Sequence, residues 1–330
     1  MQPVPVSPDE LQALLDKFRG SGVIGVALGG KETAGAMDFS SPAVTFFVAG
    51  KLPEQASSGR LLNGSPALPP SLQLADTLIQ TDVIPITAAA IGRTGTRTGK
   101  PIFVPGARLN GNGGDGTMAL RVRRNADGVA MVLTNHHVAS AGSTVRFMRD
   151  TQPLMQRPVE RSILHGTRAA LFGDATAGDI RVRIDAAAIT LAPSQHDKVG
   201  NTVPHFGPVA AIAATATASS ADYATLIGQE VYSYSRIGKQ RFGTISHTDF
   251  HYRELDGTPS SFCMLIRGNN GIVPGFAGDS GKLWMRKGPA GNEALGLHVG
   301  EYLDGASGTR YAAATDLDAL SRLWGFRADV

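Results

Sequence analysis

Three short segments carry residue types that together can transfer an acyl group. Gly278-Asp279-Ser280-Gly281 sets a serine between glycines. Glycines there permit a bend in which the serine amide and a second N–H point at a developing oxyanion, and they let substrate approach closely. Thr134-Asn135-His136-His137-Val138 closes an apolar run with a histidine. An imidazole that titrates near neutrality is the natural base for a hydroxyl that is scarcely nucleophilic by itself. Asp185 opens the run Ala186-Ala187-Ala188-Ile189-Thr190-Leu191, and a carboxylate entering so apolar a strand needs a partner such as an imidazole N–H once buried. Taken singly, each segment has an ordinary structural reading as a turn, a satisfied histidine or a strand edge.

The elements that must hold these residues are mostly strands. The 330-residue chain is 42% hydrophobic, enough for two or three folding units. Its 40 glycines and 19 prolines favour short strands and turns over a helical bundle. From Met118–Val122 and Val129–Leu133, through Asp179–Ile184 and Ala187–Leu191, to Ala294–Val299 and Arg310–Ala313, β-type runs recur at short spacing. Without interleaved helices, this pattern predicts antiparallel barrels or sandwiches. Ahead of them, Ser7-Pro8-Asp9-Glu10 is a capping box with proline at the first helical position. Leu11, Leu14, Leu15 and Phe18 then share one face, and Gly20 supplies the stop. Apolar runs Val23–Leu28, Ala43–Val48 and Asp82–Ile86 complete a small α+β domain over residues 1–90. Ile91–Gly116, rich in Gly, Arg and Thr, reads as a linker into a second domain that runs to residue 330. Thr315-Asp316-Leu317-Asp318 starts a closing helix that carries Leu320 and Trp324.

Composition narrows the function. A formal charge of +3 comes from dispersed basic residues, and the period-two arginines 121, 123 and 124 and 181 and 183 read as solvated sheet faces. No nucleic-acid partner is expected. The single Cys263 forbids an internal disulfide, the opening residues lack the order of a signal peptide, and no stretch is long enough to span a membrane. A cytoplasmic protein without a membrane partner is the expectation. Gly25 to Lys31 nearly matches a phosphate loop, but Glu32 stands where a hydroxyl should meet magnesium, so a strand ending in a turn is expected instead. His136 and His137 lack the helical spacing and third ligand of a zinc site. Neither metal nor cofactor is expected.

The order His137, Asp185, Ser280, separated by 48 (185 minus 137) and 95 (280 minus 185) residues, resembles the chymotrypsin/trypsin-like serine peptidase family. Thr134-Asn135-His136-His137-Val138 is similar to the histidine box of bacterial trypsin-like and HtrA-like members. Asp185-Ala186-Ala187-Ala188-Ile189 is similar to the aspartate strand, and Gly278-Asp279-Ser280-Gly281 to the nucleophile loop. Val231 to Ile245 resembles a bacterial hairpin, and Gly296-Leu297-His298-Val299-Gly300 the strand that pairs with extended substrate. The resemblance covers about residues 105–325, with Gly22–Pro53 similar to an N-terminal extension of some bacterial members.

The family's fold would be mainly β: two antiparallel six-stranded barrels, here with a small α+β N-terminal domain and a C-terminal helix. The resemblance implies a serine endopeptidase acting on protein or peptide substrates through an acyl-enzyme, with Ser280 as nucleophile, His137 as base and Asp185 as its orienter. The amides of Gly278 and Ser280 would form the oxyanion hole, and Pro274, Phe276, Ala277, Val299 and Gly300 would line the substrate site. A silent scaffold that keeps the fold is the alternative. Where relatives activate by inserting a new N-terminus, the residue at Asp279 receives the ammonium, yet no such cleavage site is evident. Pro274 replaces the pocket aspartate of basic-specific members, while Phe276 and Ala277 suggest small or apolar side chains, and Glu301 or Asp304 could enter from the neighbouring loop. His298, where many relatives have serine, could bond Asp185 or line a barrel. The N-terminal unit is expected either to dock on the protease part and govern access to Ser280, with Arg93, Arg97 and Lys100 in the linker as nicking sites, or to serve stability alone.

Overall fold

Helix α1 (Pro8–Lys17) begins on the expected capping box: Ser7 Oγ accepts from the Glu10 amide at 3.2 Å, and the Glu10 carboxylate accepts from the Ser7 amide at 2.7 Å. Its buried face is Leu11, Leu14 and Leu15. The computed structural model describes residues 6–18, 23–33, 36–48, 68–74, 77–88, 103–149, 151–173, 180–215, 223–254, 257–289, 291–304 and 309–329. The expected boundary at residues 90 and 91, with Arg93, Arg97 and Lys100, lies outside them.

The chain is mainly β. Its first strands are β1 (Val23–Thr33), β2 (Ala36–Val48), β3 (Ser71–Leu74) and β4 (Thr77–Ala88). The middle group is β5 (Arg108–Gly111), β6 (Gly114–Thr117), β7 (Arg121–Arg124), β8 (Ala130–Thr134), β9 (Thr144–Arg149), β10 (Gln152–Thr167) and β11 (Arg181–Thr190). A late group follows helix α2 (Arg168–Phe172) and β11: β12 (Thr202–Val203), β13 (Gly207–Ile212), β14 (Glu230–Ser235), β15 (Lys239–Arg253), β16 (Pro259–Gly268), β17 (Leu283–Gly288), β18 (Gly291–Asp304) and β19 (Arg310–Asp316). Helix α3 (Leu317–Trp324) and β20 (Phe326–Ala328) close the chain.

Pairing in the middle group runs β5–β9–β10–β11–β8–β7, with β6 back on β5. Between β6 and β7, Met118 N donates to Ala107 O and Ala119 N to Leu133 O, so this stretch bridges the ends of the series. Leu109, Val132, Phe147 and Ile189 fill its interior. The late group pairs β14–β15–β16–β19–β18–β17 and returns to β14. Val231, Ile245, Ile266, Trp284 and Leu297 are buried within it. β1 pairs with β15, and β4 with β18, so the N-terminal strands extend the same sheet. Phe47 and Ile84 from these strands pack with Phe250, Tyr252, Phe262 and Tyr311 from the late group.

Several expectations shift. The runs 179–184 and 187–191 form one strand, β11, with residue 179 outside the described residues. β10 carries no apolar run because most of its side chains are only half-buried or exposed; it is held by its pairing on both sides. The arginines do not form solvated faces: Arg123 forks onto Asp329 at 3.0 Å, and Arg181 donates to His165 Nδ1 at 2.7 Å. Asp316, not Thr315, caps α3, its carboxylate accepting from the Ala319 amide at 2.8 Å. The second half of the expected linker is the hairpin β5–β6. Among the described residues no helix is long and apolar enough to cross a membrane.

Candidate active site

Asp185 sits within β11 at φ +48°, a left-handed backbone that aspartate tolerates better than most residues but that still needs support. Two side chains brace it: Asn135 Nδ2 donates to Asp185 O at 2.6 Å, and Thr315 Oγ1 donates to Ile184 O at 2.6 Å. The carboxylate is fully buried. It accepts from the His137 amide at 3.0 Å through Oδ1 and holds His137 Nδ1 at 2.7 Å through Oδ2. Burial pushes the Asp185 carboxyl up, but the His137 hydrogen bond and charge, with the Arg183 charge, bring it net below its usual value. The carboxylate is thus anionic at neutral pH, as an imidazole N–H acceptor must be.

His137 follows β8, and its Nε2 is buried without a hydrogen-bond partner. His136 faces elsewhere, with Nδ1 2.8 Å from Ser162 Oγ. The hairpin β5–β6 brings the histidine and serine segments together. A Cβ at Gly113 would strike His137 O, and one at Gly116 would strike the Val138 side chain and lie 3.0 Å from Ser280 O. Composition reading took these glycines for linker; they are the contact surface beneath the site. Thr117 then donates its amide to Ser280 O and its hydroxyl to Gly278 O, each at 2.7 Å.

Gly278 and Gly281 both adopt φ +88°, a region that favours glycine. Among the described residues, the amides of Asp279, Gly281 and Lys282 donate to Phe276 O, His298 O and Asp279 O, whereas those of Gly278 and Ser280 make no backbone hydrogen bond. Two positions of the loop, Gly278 and Ser280, thus carry amides without a backbone acceptor. Ser280 is 7% exposed, and its hydroxyl is not hydrogen-bonded to His137, a separation common before substrate binds.

The loop is fixed from below by Lys282, which sequence reading missed. Its ammonium is fully buried and donates to Pro274 O at 2.5 Å and Asp279 Oδ2 at 2.9 Å, lying 4.8 Å above the Trp284 ring. Asp279 also accepts from Phe276 N at 3.0 Å and from Ser235 Oγ. Burial pushes the Lys282 pKa down while Asp279 opposes the shift. Lys282→Met is expected to lower unfolding free energy by about 3–5 kcal/mol, because Asp279 is left buried and unpaired. Denaturant unfolding checks it, and Asp279→Asn added to Lys282→Met should recover part of the loss. A change below about 1 kcal/mol, the scale of an exposed pair, would count against this role.

His298 is buried and held neutral by burial, helped by the nearby Lys282 and His137 charges. Its Nδ1 accepts from Trp284 Nε1 at 3.3 Å, so its partner is a tryptophan and not Asp185. The charged neighbour of Asp185 is Arg183, with Nη2 3.6 Å from Oδ2. Arg183→Gln removes one of the charges that hold the Asp185 carboxyl below its usual value, so Asp185 would protonate, and lose its hold on His137, at a higher pH. The acid limb of kcat/KM should therefore move to higher pH by a few tenths of a unit; an unmoved limb would make Arg183 merely structural.

Of the expected substrate residues, Phe276 is 39% exposed, Ala277 and Gly300 are half-buried, and Pro274 is buried with its carbonyl on Lys282. Val299 is 3% exposed, its side chain in the core shared with Phe47 and Ile84, so that side chain, against expectation, does not line a substrate site. The Glu301 side chain fills the space where a Cβ at Gly275 would go. The Asp304 side chain lies outside what is described.

No family model and no curated protein matches the chain. Among solved structures it is similar to Protease A of Thermobifida fusca, with 19% identity and TM-score 0.45, covering 69% of this chain and 98% of that one. It is also similar to a glutamic acid-specific serine protease that uses a histidine triad in substrate binding (16% identity, TM-score 0.46, 68% of this chain and 99% of that one). A third is the chymotrypsin of Cellulomonas bogoriensis (17% identity, TM-score 0.43, 68% and 97%). Likeness at this level carries no argument about what this chain does.

Proposed function

We propose that the protein is a serine endopeptidase that cleaves peptide bonds through an acyl-enzyme. The observation that carries this reading is the contact from buried Asp185 to His137 Nδ1, with Nε2 left unpartnered, together with the β5–β6 hairpin that touches both His137 and Ser280 and a loop in which the amides of Gly278 and Ser280 have no backbone acceptor among the described residues. Ser280 Oγ attacks the acyl carbon as His137 Nε2 takes its proton. The C–N bond then breaks and His137 returns the proton to the leaving amine. Water hydrolyses the ester by the same steps, with Ser280 regaining its proton. Asp185 holds the tautomer and stabilises the imidazolium. The amides of Gly278 and Ser280 receive the oxyanion, each donor worth roughly 3 kcal/mol in the transition state.

The pairing orders support a trypsin-like reading. β5–β9–β10–β11–β8 with the continuous β6–β7 makes one circuit of six strands, and β14 to β19 makes another. The proposed site uses both, His137 and Asp185 from the first and Ser280 from the second. Residues 1–90 are read as an N-terminal α+β part joined to this pair. Because Lys282 already supplies Asp279 with a buried cation, the reading requires no new N-terminus to order the loop. Labelling with a fluorophosphonate, located by peptide mapping, tests the proposal: modification at Ser280 is expected, and a protein left unlabelled would sink it.

A further inference from the structure

β18 has two neighbours along one of its edges, and they do not meet. β19 covers the opposite edge from Gly296 to Leu303. On the edge in question, β17 pairs as far as Leu297, and His298 N donates to Lys282 O at 3.0 Å. From Tyr302 the same edge is taken by β4, with Tyr302 opposite Ala88, Leu303 opposite Thr87 and Asp304 opposite Ile86. Among the described residues, Val299, Gly300 and Glu301 have no strand there. A Cβ at Gly300 would meet no atom within 4 Å among the described residues. The stretch adjoins the nucleophile loop: Gly281 N donates to His298 O at 2.9 Å, and Gly275 lies against Glu301 and His298.

An edge that no described strand covers, next to the Ser280 loop, is a place for an extended peptide to add as a strand. β4 already runs antiparallel on this edge, and antiparallel pairing is the more stable kind. A peptide in that direction has its C-terminal end at His298, next to Ser280, so its acyl-side residues lie along Val299 to Glu301. Beyond the third it meets the end of β4 and must leave the sheet. Resting on the peptidase reading, we propose that β4 is a built-in stop that limits acyl-side recognition to three residues, selecting peptides that end there or bend away.

The test uses the full chain and N-acetylated peptides with one to five acyl-side residues and a common amine leaving group. Each added pair of hydrogen bonds should raise kcat/KM by roughly two- to tenfold up to three residues, with the fourth and fifth changing it by less than about twofold. A further rise of about tenfold between three and five residues, or a length dependence found only on the leaving side, overturns the stop. Failure of the fluorophosphonate to label Ser280 overturns the peptidase reading and the stop with it, whereas labelling with a continuing rise overturns the stop alone. Thr87→Pro removes an amide from the end of β4 and should let a fourth residue contribute. A folded Thr87→Pro that keeps the plateau at three counts against the proposal, and if that variant does not fold the series on the native chain decides.

Discussion

Ser280→Ala is expected to fold normally and to lose peptide turnover by about a millionfold, since members of a triad act as a unit and one missing member forfeits most of the rate. The structural basis for normal folding is that Ser280 holds its place through its backbone. Its carbonyl accepts from Thr117, and the neighbouring Gly281 amide donates to His298. No hydrogen bond to the hydroxyl supports the fold among the described residues, so an unchanged unfolding midpoint should accompany the loss of rate and of labelling. His137→Ala should be equally damaging, while His136→Ala, which removes only a contact to Ser162 Oγ, should retain most activity. Turnover of Ser280→Ala within about a hundredfold of the native chain would place the nucleophile elsewhere.

The residues proposed for chemistry were legible because short motifs encode local backbone demands. Gly278 and Gly281 both need positive φ, and Asp185 sits where a carboxylate must find a partner. What sequence missed depends on contacts between distant segments. Lys282 reads as an ordinary charged residue until the fold encloses it with Asp279, Pro274 and Trp284. Gly113 and Gly116 look like linker because nothing in the sequence says that residues 137 and 280 will press against them. β10 escaped for a related reason, its polar residues being stabilised by pairing and not by an apolar face.

The N-terminal segment shows the same limit. Its helix and apolar runs were readable as elements, yet patterning is silent on the partner edges, which are β15 and β18. Phe250, Tyr252, Phe262 and Tyr311 owe part of their burial to Phe47 and Ile84. A fragment beginning near Pro101 would expose that aromatic cluster, so any change in its activity would follow from loss of core whether or not the N-terminal strands regulate the site.

Asp185→Asn should lower turnover at neutral pH by roughly ten thousandfold while leaving the site's outline in place. The contacts decide which way the amide must face. In the native chain Oδ1 accepts from the His137 amide at 3.0 Å, a donor that only an oxygen can satisfy. The carboxamide oxygen therefore takes that position, and its NH2 falls where Oδ2 now lies 2.7 Å from His137 Nδ1. The NH2 can only donate, so Nδ1 must become the acceptor and the ring proton moves to Nε2. Nε2 then has no lone pair with which to take the Ser280 proton. The reverse orientation of the amide fares worse, because it sets an N–H donor against the His137 amide inside a fully buried site. Arg183, 3.6 Å from Oδ2, would also lose one of its two anionic neighbours, keeping Glu254 at 3.5 Å. Peptide turnover of Asp185→Asn beside the native chain checks this, with fluorophosphonate labelling expected to slow in parallel. A loss of less than about a hundredfold would mean that His137 is not oriented through Asp185, and the proposed triad would fail at its buried end.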